Sequence, residues 1–356
     1  VSDERLARLL ALKSTAEKLA DPSHSLGIRA REMLEQSTGL SMQGVDYALR
    51  HCLEASVPRS TLSGMVKQQK RINRVHVLLS SNVFVATFRA IALGLCQSSQ
   101  VSVRASRREP VMAQLLHEGS GGAFDLVEEL TPQAGDHYWA YGSDDTLEAL
   151  RSSLPPGILL HSHGFGMGAV VLRESHGMIH HDLPRAIDAL AQDTAVFDQR
   201  GCLSPRLVLI EGSRSFAESI CDLLVESLIT WEENMPRGKL NEDEKADILR
   251  HEGTMTFLGS SAPAGKGMVV LDPQEERIML PPAGRYLHVT VTKDAFSHLY
   301  SLREHLTTVG IYNAPHLAGQ LLEKIGPRRF VELGQMQRPI FDGPVDLRTS
   351  WLSVST

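Results

Sequence analysis

From Arg74 onward the chain alternates short apolar runs with amphipathic stretches, and this alternation constrains the fold more than any other feature. RVHVLLSS at 74–81, VSVRA at 101–105, HYWAY at 137–141 and the segment 158–161 read as strands. Between them, 86–95, 111–118 and 146–153 read as helices. Apolar runs without polar alternation suit strands covered on both faces. Strands separated by helices predict an open, mostly parallel sheet that takes its ligands beyond the carboxyl ends of its strands. The pattern then repeats. A helix over 181–200 is followed by the strand RLVLI at 206–210, a helix over 215–229, and strands at 267–271, 285–291 and 308–312. The stretch 236–247 is polar and reads as a mobile connection.

The segment before this alternation is different. Leu6, Leu9, Leu10, Leu12 and Ala16 recur at helical spacing, and Asp21-Pro22 ends that element. Two more amphipathic helices follow, over 27–36 and after Ser41. At roughly 150 residues per domain, 356 residues suggest two domains, or three. The division expected is a helical lead-in over 1–56, a nucleotide-binding domain over 57–175, a second α/β domain over 176–340, and a tail over 341–356. The tail would return to the first domain or serve an oligomer interface.

Lys and Arg number 36 against 42 Asp and Glu, a net charge of -6. That gives no overall field for nucleic acid or an anionic membrane. No apolar run approaches the roughly 18 residues of a membrane span. The four cysteines form no CxxC pair and match no common zinc spacing. A soluble cytoplasmic protein with reduced cysteines is expected, without a metal.

Among residues that can carry chemistry, Cys202 stands in FDQRGCLSPR, on a tight connection between a helix and a strand. A cysteine on such a turn can gain from nearby backbone amides, which prepares it as a nucleophile; the plainer alternative is a small buried hydrophobe. Cys221, Cys96 and Cys52 read as core residues. Asn82 closes LLSSN at the carboxyl end of a strand, as an oxyanion donor or a simple turn residue. Arg104, Arg107 and Arg108 cluster after VSVRAS and suit a phosphorylated small ligand or a solvated surface. Gly142-Ser143-Asp144-Asp145 opens a helix, with Ser143 or Asp144 as its cap. The segment 163–168, HGFGMG, is only superficially a dinucleotide fingerprint, because no long helix opens after it. It reads as a flexible active-site loop. The pairs His161 and His163, and His180 and His181, lack further ligands at metal spacing.

Together these segments resemble the aldehyde dehydrogenase superfamily, specifically the LuxC-like acyl-CoA reductases of the bacterial luminescence pathway. DQRGCLSP at 198–205 resembles that family's nucleophile segment. HLTTVGIYN at 305–313 and RRFVELGQMQRPIFDGPVDLRTSW at 328–351 resemble its C-terminal segments, and 80–110 resembles the superfamily's asparagine segment, helix and cofactor strand. The resemblance implies an aldehyde dehydrogenase-like α/β fold, with a Rossmann-like nucleotide-binding domain and a second α/β catalytic domain. It gives Cys202 the role of acylated thiol and Asn82 a place in the oxyanion hole. Arg104 and Ser106 fall at the adenosine ribose, and Gly142-Ser143 at the cofactor pyrophosphate. Where oxidising members carry a glutamate, this chain has SHGFGMGAVV at 162–171, with Ser162 or His163 near that place. Acyl-CoA reduction needs no base to activate water, and His163 would serve as proton donor.

The function this implies is reduction of an acyl-CoA thioester to the aldehyde, with NADPH or NADH, in a homodimer or homotetramer. Arg104 with Arg107 would favour NADPH. An acyl-phosphate or semialdehyde dehydrogenase on the same fold, and a non-catalytic scaffold, are the alternatives.

Overall fold

The computed structural model describes residues 3–175, 182–258, 261–325 and 329–341, and divides into two units. Residues 3–165 with Ile340 and Phe341 belong to the first, and the described residues of 166–339 to the second. His180, His181 and every residue after Phe341 lie outside the described residues.

The first unit opens with four helices, α1 (Glu4–Ala20), α2 (Ser25–Thr38), α3 (Met42–His51) and α4 (Arg59–Gln68). α1 starts where the Asp3 carboxylate accepts the Arg5 N–H, and it buries Leu9, Leu12, Ala16 and Leu19 on one stripe. The sheet follows as β1 (Val75–Leu78), α5 (Ala86–Gln97), β2 (Val101–Arg104), α6 (Val111–Gly119), β3 (Asp125–Leu126), β4 (His137–Tyr141), α7 (Asp144–Ser153) and β5 (Leu159–His163). Its order is β3-β2-β1-β4-β5, and every pairing is parallel. The strands and helices expected between 74 and 163 are all present, within a few residues at their ends.

α5 is buried along almost its whole length. A Cβ at Gly94 would meet Val75 and Val101 at 3.2–3.3 Å, so its absence lets α5 lie directly on that face. α7 covers the opposite face, where Leu147 packs on Tyr138 and Ala140. Helices therefore leave β1 and β4 toward opposite faces. The resulting crevice, at the carboxyl ends of these two strands, is the topological switch point where open α/β sheets bind ligands.

The second unit runs β6 (Met167–Arg173), α8 (Leu183–Ala195), β7 (Pro205–Glu211), α9 (Arg214–Asn234), α10 (Glu242–Leu258), β8 (Ser261–Ala264), β9 (Gly267–Leu271), β10 (Tyr286–Val291), α11 (Ala295–Ser301), β11 (Leu306–Tyr312), α12 (Pro315–Ile325) and β12 (Arg329–Glu332). The sheet order is β12-β11-β6-β7-β10-β9-β8, parallel except for β8 against β9. α8 and α9 bury one face around Val170, Val208, Ile210 and Leu224. α11 and α12 bury the other around Val171, Leu209 and Val309.

Three sequence expectations are corrected here. The segment read as a flexible loop at 163–168 runs into β6, a central strand buried from Met167 to Leu172. Its unbroken apolar run is what a strand covered on both faces requires. The polar stretch 236–247 runs into α10. Asn241 Oδ1 accepts the Glu244 N–H (2.9 Å) and Glu244 Oε2 accepts the Asn241 N–H (2.8 Å), a reciprocal cap that starts the helix. The helix expected over 181–200 ends at Ala195. Among the described residues no helix is long and apolar enough to cross a membrane.

Candidate active site

What stops α8 also builds the cysteine loop. Phe197, Asp198 and Gln199 all have left-handed backbone, with φ of 56°, 50° and 64°. Each such residue costs about 1–2 kcal/mol for an L side chain, so three in succession need anchors. Asp198 accepts from Arg285 (2.9 Å) and from the Gly238 N–H (2.9 Å). The Gln199 amide donates to the Pro205 and Tyr286 carbonyls (2.6 Å each) and accepts the Tyr286 N–H (2.8 Å). Arg285 is itself buried, bound also to Glu232 (2.9 Å) and to the Met235 carbonyl (2.8 Å). Arg200 pairs with Glu244 at the start of α10 (2.7 Å).

This bracket delivers the chain into a turn. The Ser204 N–H donates to the Gly201 carbonyl (3.1 Å), which makes Cys202 the second residue of the turn. Cys202 is reduced and half-buried at the amino end of β7. The other three cysteines are buried, and burial pushes the Cys96 and Cys221 thiols up to about 12. The position of Cys202 alone leaves a thiol within reach of a substrate.

The turn is tied to its surroundings on three sides. The Thr307 hydroxyl, on the first residues of β11, lies within hydrogen-bond reach of the Cys202 and Met167 carbonyls. The Gly168 N–H donates to the Ser204 carbonyl (2.8 Å), and the Gln337 amide donates to Ser204 Oγ (2.9 Å). A Cβ at Gly168 would stand 2.7 Å from the Leu203 carbonyl and 2.6 Å from Met336 Cε. Gly168→Ala is expected to cost about 1–3 kcal/mol through overpacking and to lower the urea midpoint of the second unit. An unchanged midpoint would show that the turn yields without cost.

Asp193, near the end of α8, receives the segment 333–337. Its carboxylate accepts the Gly334 N–H (2.6 Å), and its carbonyl accepts from the Gln337 amide (3.1 Å). Burial pushes this carboxyl up to about 7, against the lowering effect of backbone N–H groups from Gly334, Met336 and Gln337.

In the first unit the expected residues gather at the carboxyl end of the sheet. Asn82 follows β1; its side chain is exposed and hydrogen-bonds to none of the described residues. Arg104 ends β2 and is half-buried, while Arg107 and Arg108 are exposed. Ser106 Oγ accepts the Arg108 N–H (3.2 Å), a local turn. Ser143 caps α7 by accepting the Thr146 N–H (3.3 Å), and the Gly142 N–H donates to the His163 carbonyl (3.2 Å). Asp144 is turned toward the segment after β5, where Oδ1 accepts the Phe165 N–H (3.0 Å).

His163 ends β5, stacked on Tyr141 with ring centroids 4.6 Å apart. Next to it His161 lies flat on Trp139 at 4.2 Å, with its Nε2 3.2 Å from Nδ1 of His137. Burial, with His137 and His163 nearby, holds His161 down at about 4. An unfolded imidazole takes up its proton near pH 6.5. Between those values the unfolded chain binds a proton that the folded chain refuses, so stability falls as the pH drops from about 6.5 toward 4. Urea midpoints at pH 7 and pH 5 should show this loss in the parent and less of it in His161→Phe. Equal losses would place the titrating group elsewhere. Among the described residues no three of His, Cys, Asp and Glu are grouped to hold a metal.

Residues 122–348 match the acyl-CoA reductase (LuxC) family. The chain belongs to the LuxC family. No curated protein shows significant sequence similarity to it. Solved structures share the fold at low identity. An oxidoreductase from Marinobacter aquaeolei is 11% identical with a TM-score of 0.74, over 96% of this chain and 80% of that one. The NAD-dependent benzaldehyde dehydrogenase from Corynebacterium glutamicum is 15% identical with a TM-score of 0.68, over 94% and 80%. The indole-3-acetaldehyde dehydrogenase of P. syringae, in complex with NAD+ and IAA, is 12% identical with a TM-score of 0.71, over 96% and 79%. The LuxC chain therefore has the aldehyde dehydrogenase-like α/β fold expected from its sequence.

Several residues around the LuxC cysteine were not singled out beforehand. Gln199 and Asp198 lie inside the quoted nucleophile segment, and Thr307 and Gln337 inside the quoted C-terminal segments. Asp193, Arg285 and Glu232 stand outside all of them, and a buried ion pair leaves no local spacing signal.

Proposed function

We propose that this LuxC-family chain reduces an acyl-CoA thioester to the aldehyde through an acyl-enzyme on Cys202. The observation that carries this reading is the presentation of Cys202: the one half-exposed thiol of four, on a turn whose neighbours are pinned by buried partners. The Cys202 thiolate attacks the acyl carbon, the carbonyl oxygen takes up negative charge, and collapse expels the CoA thiolate. The Cys202 N–H and the Asn82 side-chain amide serve as oxyanion donors. When bound, the reduced nicotinamide supplies the hydride that the acyl carbon needs to reach the aldehyde oxidation level. Collapse of the resulting oxyanion then releases the aldehyde and returns Cys202 as the thiolate, which balances without a proton. His163 would lend a proton to the developing oxyanion, taken back on collapse, or protonate the thiolate afterwards.

The residues of the first unit fit a nicotinamide dinucleotide. Arg104 ends β2 and Ser106 follows it, and Gly142 and Ser143 follow β4 at the switch point, where a dinucleotide is held in sheets of this kind. The NAD-dependence of the Corynebacterium enzyme and the NAD+ held by the P. syringae enzyme support the same cofactor class. Arg104 with Arg107 would favour NADPH.

Intact mass after adding acyl-CoA without cofactor tests the reading. An acyl adduct that disappears on adding NADPH or NADH is expected. Absence of any adduct across acyl chain lengths, from folded protein, overturns it.

A further inference from the structure

The segments HLTTVGIYN and LGQMQ carry the family resemblance, yet none of the roles proposed above falls to them. Their placement gives them another task. We infer that Thr307 and Gln337 are positioning residues that aim the Cys202 N–H and its thiol; this rests on Cys202 being the acylated residue.

The geometry is that of two peptide planes meeting at one Cα. A trans peptide is planar, so its N–H points opposite to its own carbonyl. The plane before Cys202 carries the Gly201 carbonyl, and the Ser204 N–H holds that carbonyl at 3.1 Å. Holding it sets the direction of the Cys202 N–H, the proposed oxyanion donor. The plane after Cys202 carries the Cys202 carbonyl, which the Thr307 hydroxyl holds. With both planes held, φ and ψ of Cys202 are fixed, and with them the direction of its Cα–Cβ bond, so that only rotation about χ1 moves Sγ.

Both holds reach back into fully buried structure. Ser204 is 0% exposed, Thr307 1% and Gln337 5%. Ser204 is gripped through its carbonyl by Gly168 and through its hydroxyl by Gln337. Gln337 spans from Ser204 to the Asp193 carbonyl. The C-terminal segment thus forms the rear wall of the nucleophile turn. Thr307 sits where the β11–β6 register shifts between Leu306 and Thr308, an irregularity at which its hydroxyl lies between the first carbonyl of β6 and the cysteine turn.

Displacing an oxyanion donor by a fraction of an ångström reduces transition-state stabilisation much more than substrate binding. Alkylation by iodoacetamide develops no oxyanion and reports thiol access alone. The test compares Thr307→Val, Thr307→Ser and the parent by two rates at the same thiol: acylation at saturating acyl-CoA, followed by intact mass, and alkylation. Thr307→Val is expected to acylate about 100-fold more slowly, with KM and the alkylation rate within about threefold of the parent. Thr307→Ser is expected to restore acylation to within a few fold. Gln337→Met removes the grip on Ser204 by another route, should give the same split, and stands in if Thr307→Val does not fold. Parent-like acylation in both Thr307→Val and Gln337→Met overturns the inference. So does a parallel fall of acylation and alkylation, which marks a collapsed turn rather than a misaimed one. A parent that acylates normally while the variants do too leaves the catalytic reading standing; a parent that never acylates removes both.

Discussion

Arg285→Met is expected to destabilise the second unit by about 3–5 kcal/mol, the cost of leaving the buried Asp198 carboxylate without its cation. Arg285 is fully buried between Asp198 and Glu232, 2.9 Å from each, and also donates to the Met235 carbonyl. Methionine fills similar volume and supplies none of these bonds. The Asp198 carboxylate would then keep only the Gly238 N–H among these partners, with the Gly284 N–H on its backbone carbonyl (3.0 Å) as the other hold on its left-handed backbone. The effect should exceed that of any surface ion pair in the chain, since those contribute about 0–1 kcal/mol each. Urea unfolding of parent and variant measures it. A loss below about 1 kcal/mol would mean that water reaches these carboxylates on substitution, and that the bracket under Cys202 is softer than its burial implies.

Cys202→Ala should abolish the acyl adduct and reduce aldehyde formation by at least about 10³-fold, while the folded state is retained. The alanine removes only Sγ and leaves in place the bonds that Thr307 makes to the Cys202 carbonyl and that Gln337 and Gly168 make to Ser204. The urea midpoint should therefore stay close to that of the parent. Aldehyde formation at parental rates would show that another group carries the acyl chain. Burial of Cys52, Cys96 and Cys221 makes none of these a ready substitute.

The parts of this molecule legible in its sequence are those with local, periodic causes. The strands of the first sheet announce themselves as apolar runs, and the cap at Ser143 as a small polar residue before a helical stretch. The cysteine turn was legible as a motif, through Gly201 and Ser204-Pro205. What the sequence does not display is why the motif begins with Asp198 and Gln199. Their partners, Arg285 and Tyr286, are 87 residues away, and periodicity carries no record of such pairs. β6 was missed because its glycines suggested a loop. Gly168 is in fact a strand residue kept small by the backbone of the cysteine turn. α10 was missed because its first turn is acidic, although Asn241 and Glu244 spell the cap that starts it. His161 and His163 drew attention as possible ligands. They are stacked on Trp139 and Tyr141, an arrangement that two neighbouring strands create and that one strand alone cannot reveal.

The position of β6 has a consequence for how the chain emerges from a ribosome. Among the described strands of the first sheet, all lie within residues 75–163, so that sheet can close while the rest is still being made. β6 is the first strand of the second sheet to be synthesised, and one of its two neighbours, β11, arrives only at residues 306–312. For well over a hundred residues of synthesis its apolar edge has no permanent cover, and unpaired apolar edges invite wrong partners. A nascent chain stalled before β11 should bind holding chaperones through β6. A chain released after β12 should not, and protein yield would then depend on the pace of translation between β6 and β11.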